Sequence, residues 1–226
     1  MSLHVYTGCM KTGKTYEVIQ KLTEYLVTPS IIRVCFINSN KDTREKAGQN
    51  VHSSNNINTL LMTDKISKFS LECLSDFDED EFDVIGVDEG QFFSDLYECV
   101  QKWLNKGKHI YVSGLDGTWQ MEPFGQISQL LHLSDTFVKM NAICTFCIQE
   151  IHGMHGYMAR HQMPKAAFSA KICGSNSVVE IGSTNYAPVC REHFRQNMSR
   201  FTSEELLIKD ILVEHKDHSS PKRFSE

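Results

Sequence analysis

The sequence lacks any apolar run near the roughly 20 residues that a membrane-spanning helix needs, so no such span is expected. It also lacks a surplus of positive charge. Lys and Arg number 23 against 28 Asp and Glu, a net charge of −5. That balance gives no basic footprint, so nucleic acid is not an expected partner. No secretory leader is expected either, because "MSLHVYTG" already reads as a strand running into a turn. No internal repeat is found. What remains is ordinary for a soluble globular protein: 226 residues, 41% hydrophobic and 23% charged. That length suits one large domain, or one domain with a small companion.

Eight cysteines are present: Cys9, Cys35, Cys73, Cys99, Cys144, Cys147, Cys173 and Cys190. Their scattered spacing and the missing leader argue against a disulfide framework. Reduced thiols and a metal site in a cytosolic protein are expected instead.

Hydrophobic patterning predicts alternating strands and helices. Leu3–Tyr6 reads as a short buried strand, and Thr15–Leu26 follows with a helical period at Val18, Ile19, Leu22 and Leu26. Ile31–Ile37 reads as a second strand, and the polar stretch after it as a loop. "DFDEDE" reads as a solvated loop before a strand over Phe82–Val87. Phe92–Lys106 reads as a helix, His109–Val112 as a strand and Ile127–Leu133 as a short helical segment. This alternation implies an α/β fold, a parallel sheet with crossover helices. The pattern changes near Asn141, where a second, small domain is expected. A polar tail follows Phe194, with one amphipathic helical stretch around Leu206, Leu207, Ile211 and Leu212 and a disordered end.

The first functional signal is "GCMKTGKT", Gly8-Cys9-Met10-Lys11-Thr12-Gly13-Lys14-Thr15. It fits G-x-x-x-x-G-K-[ST] between a strand and a helix, which makes it a candidate phosphate cradle. Glycines let the backbone curl so that N–H groups face phosphate oxygens, and the helix N-terminus adds positive potential. Lys14 is expected on the β- and γ-phosphates and the Thr15 hydroxyl on Mg²⁺. The second signal is Asp88-Glu89, at the end of the Phe82–Val87 strand. Asp88 is the candidate Mg²⁺ partner and Glu89 the candidate general base. The pair suits a kinase, and equally an ATPase whose Glu orients water. A zinc-domain adaptor that binds ATP without turning it over is a third reading.

The third signal is metal-ligand spacing. Cys144-x-x-Cys147 and Cys190-x-x-His193 look like two halves of a structural zinc site. A rival set of Cys144, Cys147, His152 and His155, close together in sequence, could also make a compact Cys₂His₂ site.

Taken in order, "GCMKTGKT", "KDTR" (Lys41–Arg44), "VDEGQFF", "LDGTWQ…PFG", "CTFC", "EIGSTNY" and "VCREHF" resemble the thymidine kinases of the cellular and poxviral type. The resemblance spans roughly residues 3–195. It implies a RecA-like P-loop sheet with helices on both faces, plus a small zinc-binding domain carrying a substrate-closing loop. It implies transfer of the ATP γ-phosphate to the 5′-hydroxyl of thymidine, with deoxyuridine a second substrate. It also implies salvage of DNA precursors, feedback inhibition by dTTP, a homotetramer and a cytoplasmic location.

Residue roles follow from the same resemblance. Gly8–Thr15, Asp42, Arg44, Asp88 and Gln91 would serve the phosphate and Mg²⁺ side, and Glu89 would take the sugar proton. Met10, Phe92, Leu115, Trp119, Phe124 and Ser169 would form the nucleoside pocket. A closing loop, Val178, Val179, Glu180, Ile181 and Gly182, would bind the pyrimidine through its backbone, with Tyr186 packed near the base. Zinc would sit on Cys144, Cys147, Cys190 and His193, the resemblance favouring the last two over His152 and His155.

The implied domains are 1–140, 141–195 and a tail, 196–226. The chain departs from the family pattern at an insertion, Ile151–Lys165, at Ser169 where Thr is common, at Trp119 in place of Phe, and at Lys11. "EIGSTNY" is one residue shorter than the common form.

Overall fold

A computed structural model describes residues 1–27, 32–41, 65–152, 164–172 and 185–198. Its centre is a six-stranded sheet in the order β3-β2-β4-β5-β1-β6. The strands are β1 Ser2–Gly8, β2 Val34–Ser39, β3 Ile66–Leu71, β4 Val84–Val87, β5 His109–Gly114 and β6 Thr136–Met140. Every neighbouring pair is parallel.

The central strands are apolar on both faces, as a sheet covered on both sides requires. Leu3, Val5, Cys35, Ile37, Ile85, Val87, Ile110 and Val112 point to one face, where they pack with Leu96, Cys99, Val100 and Trp103 of α2 (Leu96–Asn105). Tyr6, Val34, Phe36, Val84 and Tyr111 point to the other, against Val18, Ile19 and Leu22 of α1 (Lys14–Leu26). The alternation follows directly from the two-residue period of a strand. Gly86 lets α1 come close: a Cβ there would stand 2.6 Å from Leu22 Cδ1.

Several sequence expectations shift. β2 begins at Val34, and Ile31 with the Pro29-Ser30 stop lies outside the described residues. The helix expected over Phe92–Lys106 divides into a 3-10 turn, Gly90–Phe92, and α2 from Leu96. Between them the Asp95 carboxylate accepts from the Ser75 amide at 2.8 Å instead of capping α2.

The edge strands β3 and β6 were not expected. Each is paired on one side only and carries many exposed polar residues, which weakens the apolar signal. "DFDEDE" is not a fully solvated loop. Phe77 is buried against Trp103, and Glu79 is only 3% exposed. Its carboxylate pairs with Lys102 and Lys106, both at 2.7 Å. An acid-rich stretch can hide one carboxylate when a helix supplies the counter-charges.

Beyond β6 the parallel sheet gives way to short antiparallel pairs. β7 (Ala142–Ile143) pairs antiparallel with β8 (Lys165–Ala166), and β9 (Phe168–Lys171) with β10 (Tyr186–Val189). Helix α3 (Thr145–His152) and a helix over 191–198 accompany them. The apolar cluster here is built from small side chains: Ala166, Ala170, Ala187 and Val189 with Cys144, Cys147 and Phe194. Cys9 of the glycine loop belongs to it too, so this part of the chain packs directly against the loop. Among the described residues no helix is long and apolar enough to cross a membrane. Most of the insertion, residues 153–163, and the expected tail helix lie outside the described residues.

Candidate active site

All six strands of the sheet are parallel, so their carboxyl ends share one edge. Ligands of open α/β sheets bind at that edge. Three candidate segments leave it side by side: Gly8–Thr15 from β1, Asp88–Phe92 from β4 and Leu115–Phe124 from β5.

The β1 segment turns sharply. Gly8 has φ 131°, and a Cβ there would stand 2.2 Å from the Met140 carbonyl oxygen on β6. No residue with a side chain fits that position. Lys11 and Gly13 also take left-handed backbone, at φ 61° and 86°. α1 then starts at Lys14, its N-terminus facing the loop. Lys14 Nζ donates to the Cys9 carbonyl at 2.7 Å and to Thr12 Oγ1 at 3.3 Å. Burial pushes its pKa down, opposed by the carboxylates of Glu89 and Asp88. Lys14 thus sits buried at the helix N-terminus, with the two carboxylates favouring its charged form against the burial.

Asp88 is 1% exposed and well partnered. Thr15 Oγ1 donates to its two oxygens at 2.9 and 3.1 Å, and Ser113 Oγ donates to Oδ1. Ser113 was not foreseen. It lies on β5, beside β4 in the sheet, and nothing in its local sequence marks it. The hydroxyl of Thr15 and the oxygens of Asp88 are hard donors of the kind Mg²⁺ takes.

Glu89 adopts left-handed backbone, φ 51° and ψ 40°. For a non-glycine residue this costs about 1–2 kcal/mol, and such strain gathers where a side chain must be aimed. Gln91 Nε2 donates to Glu89 Oε2 at 2.6 Å, and Gln91 Oε1 accepts from the Leu115 amide at 2.9 Å. One amide thus ties the acid to the start of the β5 segment. Phe92 and Phe124 meet edge to face at 5.7 Å.

Trp119 sits in a short reversal closed by a Gly117–Pro123 bridge and is buried. The Ser169 hydroxyl accepts from the Met10 amide at 3.1 Å, so this residue, expected at the nucleoside, engages the phosphate loop. Cys9 Sγ donates to the Ala166 carbonyl at 3.2 Å, and burial raises the thiol's pKa. Tyr186 opens β10. Asp42, Arg44, Val178, Val179, Glu180, Ile181 and Gly182 lie outside the described residues.

The metal-ligand candidates converge. The donor atoms of Cys144, Cys147, Cys190 and His193 all lie within 4.8 Å of one another. Cys147 Sγ and Cys190 Sγ are 3.8 Å apart, and His193 Nδ1 lies 3.3–3.5 Å from the three sulfurs. A tetrahedral zinc with Zn–S bonds of about 2.3 Å sets sulfurs roughly 3.8 Å apart, so the cluster fits that ion. Burial opposes ionisation of Cys144, but amide donors from Cys147 and Cys190 bring its pKa down to about 7. His193 Nε2 meets Glu150 Oε1 at 3.0 Å, a carboxylate partner that the spacing did not reveal. His155 lies outside the described residues, as does the side chain of His152.

Known proteins share this arrangement of sequence. The family model for Thymidine kinase matches residues 1–194. The thymidine kinases of monkeypox virus (strain Zaire-96-I-16), vaccinia virus (strain Western Reserve) and variola virus are each 33% identical over 192 residues. That span covers 84% of this chain and 94% of each relative. With a match that long and that even, the chain belongs to the thymidine kinase family.

Proposed function

We propose that the protein transfers the γ-phosphate of ATP to the 5′-hydroxyl of thymidine. The observation that carries this reading is the meeting of the loop after β1 with the acid pair after β4, Thr15 on Asp88 with Glu89 next in sequence. Deoxyuridine is a second acceptor in this reading. Salvage of DNA precursors, dTTP feedback, a homotetramer and a cytoplasmic location accompany it as proposals drawn from the family.

Gly8–Thr15 holds the phosphates through backbone N–H groups, with Lys14 neutralising charge on the transferred group. Mg²⁺, held by Thr15 and Asp88, supplies further charge neutralisation when bound. Met10, Leu115, Trp119, Phe124 and Phe92 wall the base, with Tyr186 near it, and residues 178–182 are assigned to bind the pyrimidine through their backbone. Glu89, steered by Gln91, takes the proton of the 5′-hydroxyl. That oxygen forms a bond to the γ-phosphorus as the bond to the bridging oxygen breaks, and ADP leaves. Phosphoryl transfer is mainly positioning and charge stabilisation, which suits a site made of hydrogen-bonded side chains. Cys144, Cys147, Cys190 and His193 would hold zinc, which would join the two ends of the smaller part. The reading divides the chain into a kinase domain (1–140), a zinc and substrate-loop domain (141–195) and a tail (196–226).

The test is label transfer from γ-labelled ATP to thymidine, deoxyuridine, deoxycytidine or no acceptor. Thymidine-dependent transfer is the expected result. Phosphate release indifferent to nucleoside would instead favour the ATPase reading, and no turnover with any acceptor the adaptor.

A further inference from the structure

Lys171 has no part in the site described so far. It ends β9, is 1% exposed, and its register partner on β10 is Tyr186. A buried ammonium is costly unless something compensates its charge. Its Nζ lies over two aromatic faces: 5.5 Å from the Trp119 ring centre and 5.7 Å from that of Tyr186. Both distances are within the reach of a cation–π contact, which is strongest where water is excluded.

The two rings come from different parts of the chain. Trp119 belongs to the reversal after β5 in the large sheet, Tyr186 to the small antiparallel pair. The lysine backbone is itself held. Its carbonyl accepts from Asn197 Nδ2 at 2.6 Å, on the 191–198 helix that also carries His193. The next amide, of Ile172, donates to the Asn185 carbonyl at 2.9 Å. One charge on a fixed stem therefore joins a ring of the sheet to a ring of the smaller part.

We propose that Lys171 is a positioning residue for the nucleoside base: its ammonium holds Trp119 and Tyr186 in register and so sets how tightly the base is gripped. This rests on the reading of those two rings as pocket walls. The ammonium lies over the rings, so binding of the acceptor is expected to change more than the chemical step.

The test compares the full-length enzyme with Lys171→Met, Lys171→Arg and Trp119→Ala, measuring kcat, the KM for thymidine, the KM for ATP and tryptophan emission. The chain has two tryptophans, and Trp103 lies in the sheet core, so a thymidine-dependent emission change reports Trp119.

Lys171→Met is expected to raise the thymidine KM about tenfold, with kcat and the ATP KM within about twofold and the emission response reduced. Lys171→Arg should recover most of this, because a guanidinium also lies on aromatic faces. A Lys171→Met enzyme with unchanged thymidine KM and emission response overturns the proposal. So does one whose kcat, both KM values and melting temperature deteriorate together, which marks a purely structural lysine. If Trp119→Ala raises the thymidine KM while Lys171→Met does not, the pocket reading stands and the role of Lys171 falls. If neither changes it, the pocket reading falls with it.

Discussion

The sheet and the smaller part beyond it are held together by different means. The sheet buries two large apolar clusters, one on each face, rich in Leu, Ile, Val and aromatic rings. The smaller part buries mostly alanines and cysteines. Small side chains bury little area, and burial stabilises at roughly 25 cal/mol per Å². A segment of that kind needs another source of stability, and an ion held by the four converging donors would supply one. The comparison separates the tasks as well. In the proposed reading the sheet edge handles phosphate, while the smaller part would contribute to the grip on the acceptor and would depend on a bound ion to keep its shape.

The comparison breaks most readily at the metal. Zinc analysis should find about one ion per chain, bound in the tetrahedral manner of a structural site. Stripping it should expose the amides of β9 and β10 to hydrogen exchange while β1, β4 and β5 keep their protection. The apparent binding energy of such sites is on the order of 10 kcal/mol, so the loss should be local but complete. Equal exchange in both parts after chelation would refute the division.

Next in size is Glu89→Gln. It should lower kcat by about 10²–10⁴-fold with nucleotide binding and melting temperature close to wild type. The new side chain keeps its size and can still meet Gln91, so the sheet should not notice. Near-normal turnover would remove Glu89 from its role.

The smallest effect concerns the sheet's own charge cluster. Burial opposes ionisation of Glu79, but hydrogen bonds from Lys102 and Lys106 outweigh it and bring the pKa from 4.5 to about 2. The unfolded chain therefore takes up this proton first as pH falls. The stabilisation is fully present above about pH 5 and is lost as pH drops toward 2. Glu79→Gln should cost about 1–2 kcal/mol at pH 7, because both lysines remain partly in water. Urea unfolding of both proteins should show that gap narrowing between pH 5 and pH 2. A gap that widens there would mean that the carboxylate is not ionised in the folded state.

How legible these features were depended on whether their signal was local. The phosphate loop, Asp88-Glu89 and the metal pairs were readable because the chemistry demands fixed residue types a few positions apart. The central strands were readable because burial on both faces leaves a run such as Val84-Ile85-Gly86-Val87. The edge strands β3 and β6, half exposed, lose that signal. Glu79 was misread because nothing within its own acid run announces Lys102 and Lys106, more than twenty residues away.

The sequence by itself determined the α/β class, the glycine loop, the acid pair and the two ligand pairs of the metal cluster, all written as local pattern. The tertiary structure brought Cys190 and His193 to Cys144 and Cys147, the set that the resemblance had favoured. It alone brought Ser113 to Asp88, Ser169 to Met10 and Glu150 to His193, and placed the Lys171 ammonium over the rings of Trp119 and Tyr186. The reason is physical: each of these contacts joins residues that are distant along the chain, and strand order and helix packing, not spacing, set which of them meet.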